Sequence, residues 1–362
     1  MQTLLAERLL ATVMDFSRAQ LVEVRPSLQT LAAWKCDEYE QYWPGQRFIE
    51  SLASWLDQFK AEHRAAALEF VRKRLFFHSR TEMQHLVGMA FADFVKPQIM
   101  RAVAAELDLP WYSVGKIGAS NEYKLAIRRT LFLGLSDGAH IDVFRRSNPH
   151  LSNEQIWLTY ELSTEKISDL RKELERDLEQ LKGSTPTIDE VQFQHLVLLD
   201  DFSGSGKSYV RDEDGKPCGK LAKIAERLQR GEFEGLVAKD ASVLLVLYLA
   251  TEQARQHIAD NLSRLPVLSD TKLFVVHPLP PTFPLSDERD ADILALVDSD
   301  KYYDKACESR HTGVGGTDDV KRGFGACALP LVLTHNTPNN SVFLLWSFSH
   351  RVQGLFPRVT RH

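Results

Sequence analysis

His195-Leu-Val-Leu-Leu-Asp-Asp-Phe-Ser-Gly-Ser-Gly-Lys-Ser208 is the stretch on which the fold turns. Residues 196–199 are an uninterrupted apolar run with no helical periodicity, which suits a strand buried on both faces of a parallel sheet. Asp200 and Asp201 then fall at the carboxyl end of that strand. In an open α/β sheet ligands bind there, because the strand stops and a loop turns back toward a helix. In Ser203-Gly204-Ser205-Gly206-Lys207-Ser208 only Lys207 is long, so backbone N–H groups can converge on an anion without a Cβ in the way. By composition this is a phosphate cradle.

Two nucleotide motifs compete for the stretch. A Walker A loop reads G-x-x-x-x-G-K-[ST]. Gly206-Lys207-Ser208 matches its end, but Asp201 stands where the first glycine belongs, and that misfit carries a negative charge. The stretch more closely resembles the ribose-phosphate signature of type I phosphoribosyltransferases, in which an apolar run and two acids lead into small and hydroxyl residues closing as S/T-G-x-S/T. Leu196-Val-Leu-Leu199, Asp200-Asp201 and Ser205-Gly206-Lys207-Ser208 follow that order, while Ser203 and Gly204 depart from its usual choices.

Composition narrows the class. The 362 residues suffice for two domains of the usual roughly 100–200 residues. Hydrophobic residues at 44% and charged residues at 26% are ordinary for a soluble globular chain and indicate neither disorder nor a membrane class. No apolar run approaches the roughly 20 residues that cross a bilayer, so no membrane partner is expected. The segment Met1-Gln-Thr-Leu-Leu-Ala-Glu-Arg8 has no basic start leading into an apolar core, and a secretory signal is not expected. Cys36, Cys218, Cys307 and Cys327 form no C-x-x-C pair, which suits a reducing cytoplasm. A net charge of −5 argues against broad electrostatic binding of nucleic acid.

Residues 1–128 read as an all-helical N-terminal domain, with apolar residues at three- and four-residue spacing in Leu4, Leu5, Leu9, Leu10 and Val13, and again from Phe48 to Phe59. Trp34, Tyr39, Tyr42, Trp43, Trp55, Phe59 and Phe70 are expected to fill its core. Docking or sensing, with a helix-turn-helix element, is the alternative to a plain bundle. His63, His78 and His85 have no cysteine or paired acid at ligand spacing and read as helix-surface residues.

The pattern changes at Arg129-Thr-Leu-Phe-Leu-Gly-Leu135, a strand entering the small turn Ser136-Asp137-Gly138-Ala139. Residues 140–148 read as a second strand, with Arg145 and Arg146 able to lend positive charge. Ser152-Asn-Glu-Gln155 is a capping box and predicts a long helix striped by Leu158, Leu162, Ile167, Leu170, Leu174, Leu178 and Leu181, ended by residues 183–186. Beyond the central stretch come a turn at 214–219, a helix at 221–228, a strand at 242–249, a helix capped by Thr251 and Glu252, a strand at 272–276 and a helix at 286–297. This β-α-β-α order predicts an α/β domain over 129–362, a mostly parallel sheet flanked by helices. Residues 298–328 form a connection long enough to be functional. Residues 331–334 and 342–346 read as strands around the turn His335-Asn-Thr-Pro-Asn-Asn340.

With these motifs in one order, the chain resembles the phosphoribosyltransferase-like proteins of bacterial conflict, or anti-phage, systems, the PRTase-CE family. The resemblance covers roughly residues 129–347, and 335–340 followed by Trp346 is its most family-specific part. It implies a type I phosphoribosyltransferase-like domain after the helical one. By position, Asp200 and Asp201 would take the ribose hydroxyls. Ser203, Gly204, Ser205, Gly206, Lys207 and Ser208 would take the 5′-phosphate, helped by a following helix N-terminus. The loop of Ser136, Asp137, Gly138 and Ala139 would hold pyrophosphate, with Mg²⁺ held mainly by the ligand's own oxygens. Arg310, His311, Lys321, Arg322, His335, Asn336, Asn339 and Asn340 are the acceptor-side candidates.

The implied function is an antiviral effector acting on phosphoribosyl diphosphate or a related nucleotide. Two alternatives stand beside it: a nucleotide-binding regulator that lacks turnover, and a P-loop hydrolase or kinase that would need Lys207 on the β- and γ-phosphates. Some family members are encoded beside a reverse transcriptase and its non-coding RNA as retron effectors. A protein or reverse transcriptase–RNA partner docking through the N-terminal helical domain is therefore the expectation here.

Overall fold

The structure, a computed structural model, describes residues 3–309, 312–349 and 351–359. Its strands in chain order are β1 (Phe76–His78), β2 (Thr130–Gly134), β3 (Ile156–Trp157), β4 (Phe193–Ser203), β5 (Arg211–Glu213), β6 (Lys216–Cys218), β7 (Val237–Thr251), β8 (Lys272–Leu279) and β9 (Leu331–Leu333). Two compact units divide the chain: Gln84–Leu279, and a discontinuous one made of Met1–Met83 and Pro280–His362.

The unit Gln84–Leu279 is built on a five-stranded sheet in the order β3-β2-β4-β7-β8. Every neighbouring pair in it is parallel. Leu196 to Leu199 on β4 and Leu244 to Leu249 on β7 are buried, which is why both read as unbroken apolar runs. On one face, helices Thr164–Lys182, Lys220–Gln229 and Glu252–Leu262 share a core with Leu131, Leu133, Leu196 and Leu198. On the other, Phe132 meets Phe91 and Phe144. The chain runs from β2 to the edge strand β3 and returns to β4 on the opposite side of β2. The winding therefore reverses between β2 and β4, and in such sheets a ligand crevice opens outside the strand ends at that point.

Several local expectations are corrected. Residues 140–148 are not a strand: His140 takes a left-handed conformation (φ 47°) and turns the chain into helix Ile141–Ser147. The Ser152 capping box exists, but it closes the 3-10 turn Asn153–Gln155. Gln155 Nε2 donates to Ile127 O (2.8 Å) and Thr130 O (2.9 Å), which ties this turn to the start of β2, so the chain leaves as β3. The long helix starts later, at Thr164, capped by Ser163. It buries Leu170, Leu174 and Leu178 and ends at Gly183, while Leu158 and Leu181 are exposed.

In the discontinuous unit, helices Thr3–Met14, Arg18–Trp34, Phe48–Asp57 and Ala61–Lys73 share one core with residues from Leu285 to Phe356. Trp55 Nε1 donates to Leu344 O (2.9 Å) and the Tyr39 hydroxyl to Pro357 O (2.8 Å). β1 lies parallel to β9. The units are thus not split as 1–128 and 129–362, because the apolar faces of the first four helices are covered by the C-terminal segment. β1 is also an exception to the all-helical reading of 1–128.

Tyr39, Trp55, Phe59 and Phe70 are core residues, but Trp34 (75% exposed) and Trp43 (78%) are not. His78 is buried on β1, and His63 Nδ1 lies 2.8 Å from the Tyr302 hydroxyl; His85 is exposed on its helix. Residues 342–346 contain helix Phe343–Trp346 rather than a second strand. The helix expected from Ser286 begins at Ala291, because the Asp290 carboxylate takes the Ser286 N–H (3.0 Å) and holds a turn there. No helix among the described residues is long and apolar enough to cross a membrane.

Candidate functional site

β2 and β4 run side by side with Gly134 opposite Leu199, so residues 135–139 and 200–208 emerge together at the switch point. β4 continues past Leu199: Asp200 pairs with Leu247 and Ser203 with Ala250 of β7. Strand order thus fixes the two acids, and the cradle proper is the shorter run 204–208. Thr251, at the end of β7, anchors that run. Its hydroxyl donates to Gly204 O (2.5 Å) and accepts the Ala254 N–H (3.0 Å), capping helix Glu252–Leu262. The other loop is held from the same strand, where the Tyr248 hydroxyl donates to Ala139 O (2.8 Å).

The two acids have opposite environments. Asp200 has no exposed surface. It accepts hydrogen bonds from the Ser136 hydroxyl, the Tyr209 hydroxyl (2.5 Å) and the Lys220 ammonium (2.5 Å). Burial, reinforced by the charge of Asp201, pushes its pKa above the usual carboxylate range against the pull of Lys220 and Ser136. The Tyr209 phenol is raised as well, by burial and by Asp200, and so stays a proton donor. Asp201 is only half-buried. Its carboxylate lies against Gly138, where an added Cβ would sit 2.3 Å from Oδ2, so a side chain there would have to displace the carboxylate. Asp137 beside it is exposed and Ser136 half-buried. The Ser203 hydroxyl is buried with no hydrogen-bond partner among the described residues.

After the cradle the chain does not enter a helix directly. Tyr209 and Val210 lead into the antiparallel hairpin β5–β6. The chain re-enters where the Lys220 N–H donates to Ser208 O and the Leu221 N–H to Tyr209 O, both 2.9 Å. Gly219 closes this junction at φ 116°, with an added Cβ 2.5 Å from Tyr209 O. The expected helix N-terminus behind Ser208 is therefore displaced by a hairpin. Lys220 and Tyr209 are site residues that the sequence reading missed. Tyr209 follows the loop and could have been included, but nothing local marks Lys220.

The described acceptor-side candidates lie in the discontinuous unit, and each is engaged within it. Lys321 Nζ reaches Asp300 (2.6 Å). Arg322 bridges Asp298 (2.6 Å) and Asp287 (2.8 Å). His335 O accepts from Gln41, Asn336 Nδ2 donates to Val359 O, Asn339 O accepts from the Phe324 N–H, and Asn340 Nδ2 donates to Phe324 O. Arg310 and His311 fall outside the described residues. In the sheet unit, Arg145 donates to Ile156 O and Arg146 to Asp142, so both serve local structure.

Among the described residues no group of three or more His, Cys, Asp or Glu side chains could hold a metal by itself. The donors at the two loops, Asp201 and Asp137, fit a hard ion held by one or two carboxylates with the rest of its shell from ligand oxygens and water.

No curated protein and no solved structure matches the chain. The PRTase-CE family model does match it, over residues 52–358, most of its length and including both loops. The match spans every strand of the five-stranded parallel sheet: the chain belongs to the PRTase-CE family and is phosphoribosyltransferase-like.

Proposed function

We propose that the chain binds 5-phosphoribosyl diphosphate or a related nucleotide together with Mg²⁺ at the ends of β2 and β4, as the effector of a bacterial anti-phage system. The observation that carries this is the meeting of the Ser136–Ala139 turn with the acidic pair and its small-residue loop. Backbone amides and hydroxyls of 204–208 suit the 5′-phosphate, and the turn after β2 suits the pyrophosphate. Asp201, half-exposed, takes the ribose hydroxyls. Asp200, enclosed by its three donors, shapes the site from behind.

In a transfer step the bond from ribose C1 to the pyrophosphate oxygen breaks, its electron pair leaving with pyrophosphate. An acceptor lone pair then bonds C1. Positive charge develops on the ribosyl centre, and fixed carboxylates nearby stabilise it. Bound Mg²⁺ would supply charge neutralisation of the leaving group. A cytoplasmic setting and a protein or reverse transcriptase–RNA partner at the N-terminal helices belong to the same proposal, on the strength of the family resemblance.

A regulator without turnover is the second reading, favoured by the commitment of Asp200 to internal partners. Pyrophosphate release tested with a panel of nucleobases separates the two: binding without release from any base favours the regulator. The P-loop reading is weakened by the hairpin that separates Lys207 and Ser208 from the next helix. Tight ATP binding lost in Lys207→Ala would restore it. The proposal itself is tested by titrating the full chain with phosphoribosyl diphosphate and MgCl₂; no binding would overturn it.

A further inference from the structure

We propose that Lys220 is a positioning residue of this site, acting through Asp200 to hold the loop after β2 and the loop after β4 in one ligand-receiving arrangement. This deepens the ribose-phosphate reading and rests on it.

Three segments meet on the Asp200 carboxylate. Ser136 comes from the turn after β2 and takes Oδ1; Tyr209, at the exit of the cradle, takes Oδ2; Lys220, the first residue of helix Lys220–Gln229, shares Oδ2. Lys220 reaches that point only because the hairpin closes on itself and returns the chain beside Ser208 and Tyr209. Its ammonium also lies 5.1 Å from the centre of the Tyr209 ring. The lysine side chain is 26% exposed and its partner 0%, so the carboxylate is sealed from water while the ammonium keeps only partial contact with it.

A carboxylate without water is costly unless a charge and hydrogen bonds replace its solvation. Ser136 and Tyr209 supply two hydrogen bonds but no charge; Lys220 supplies the charge. Without it, the bare carboxylate turns toward water and leaves Ser136 and Tyr209, and the two loops lose their shared anchor. An amide in its place has no charge to strand and keeps both contacts, accepting from one hydroxyl and donating to the other, which can rotate. Replacing both members of such a pair is far milder than removing one.

The test titrates the full chain and its variants with phosphoribosyl diphosphate and MgCl₂ by calorimetry, with thermal unfolding of each variant recorded in parallel. Lys220→Met is expected to weaken binding about tenfold or more, because it strands the buried carboxylate. Lys220→Arg, which keeps the charge, is expected to stay within roughly threefold of wild type. Asp200→Asn combined with Lys220→Met should recover to within roughly threefold, the coupling expected of contacting residues. That recovery separates positioning from direct ligand contact, for which the double variant would stay weak and overturn the proposal. Wild-type affinity in a folded Lys220→Met protein would overturn it too. If Lys220→Met does not fold, Ser136→Ala takes its place: weakened binding is expected, and unchanged binding overturns the proposal. Failure of the underlying site reading looks different, because then the wild type does not bind, or Asp201→Asn binds as tightly as wild type.

Discussion

Asp200 and Asp201 are chemically identical neighbours that strand alternation sends in different directions. One is sealed among Ser136, Tyr209 and Lys220; the other is half-exposed against Gly138. The pair was legible in the sequence because it directly follows an unbroken apolar run, at the carboxyl end of a buried strand where an open α/β sheet binds ligands. The division of labour between them was not, because it depends on Lys220, which reaches Asp200 only through a closed hairpin. Gly138 gives a prediction at this scale. A methyl group there would fall 2.3 Å from Asp201 Oδ2 and must push the carboxylate aside. Gly138→Ala should weaken phosphoribosyl diphosphate binding in calorimetry by about tenfold while changing stability by only about 1 kcal/mol, since a flexible side chain can move. Unaltered affinity would place Asp201 outside the site.

At the scale of elements, the central strands were readable because burial on both faces leaves an unbroken apolar run, as on β4 and β7. Where local pattern competed with tertiary ties it misled. Ile141 and Val143 alternate like a strand, yet the left-handed His140 starts a helix there that buries Phe144. The capping box at Ser152 was real, but Gln155 ties it to β2 instead of starting the long helix.

The amino-terminal end of the sheet yields a pH prediction. His195 on β4 lies 2.6 Å from the Ser242 hydroxyl of β7, and its pKa is lowered from the usual 6.5 first by burial and then by Lys272. As pH falls, the unfolded chain takes up this proton before the folded one. The contribution of a neutral His195 is therefore complete above about pH 6.5 and is lost as pH falls through the lower folded value. Urea midpoints measured from pH 7.5 to 5 should fall more for wild type than for His195→Gln; parallel slopes would contradict this.

For the whole molecule, the family match and the parallel sheet agree with the α/β reading, but the chain does not divide at residue 128. Helical periodicity shows which face of a helix is apolar, not what covers it. Here the covering residues lie near the other end of the chain, as Trp55 with Leu344 and Tyr39 with Pro357 illustrate. The fragment 84–279 contains every strand of the five-stranded sheet. It should fold alone with a cooperative thermal transition followed by circular dichroism, whereas 129–362 lacks the helices that complete the core of residues 285–356. It should be rapidly cut by protease within 280–362, and a resistant 129–362 fragment would contradict the observed division.

A ribose-phosphate site whose ligand-facing acid is Asp201 can be checked by calorimetric titration of the full chain with phosphoribosyl diphosphate and MgCl₂, wild type against Asp201→Asn. Wild type is expected to show saturable Mg²⁺-dependent binding, weakened about tenfold or more in the variant through loss of charge-assisted hydrogen bonds to the ribose. Equal affinity of the two proteins, or no binding by wild type, would contradict it.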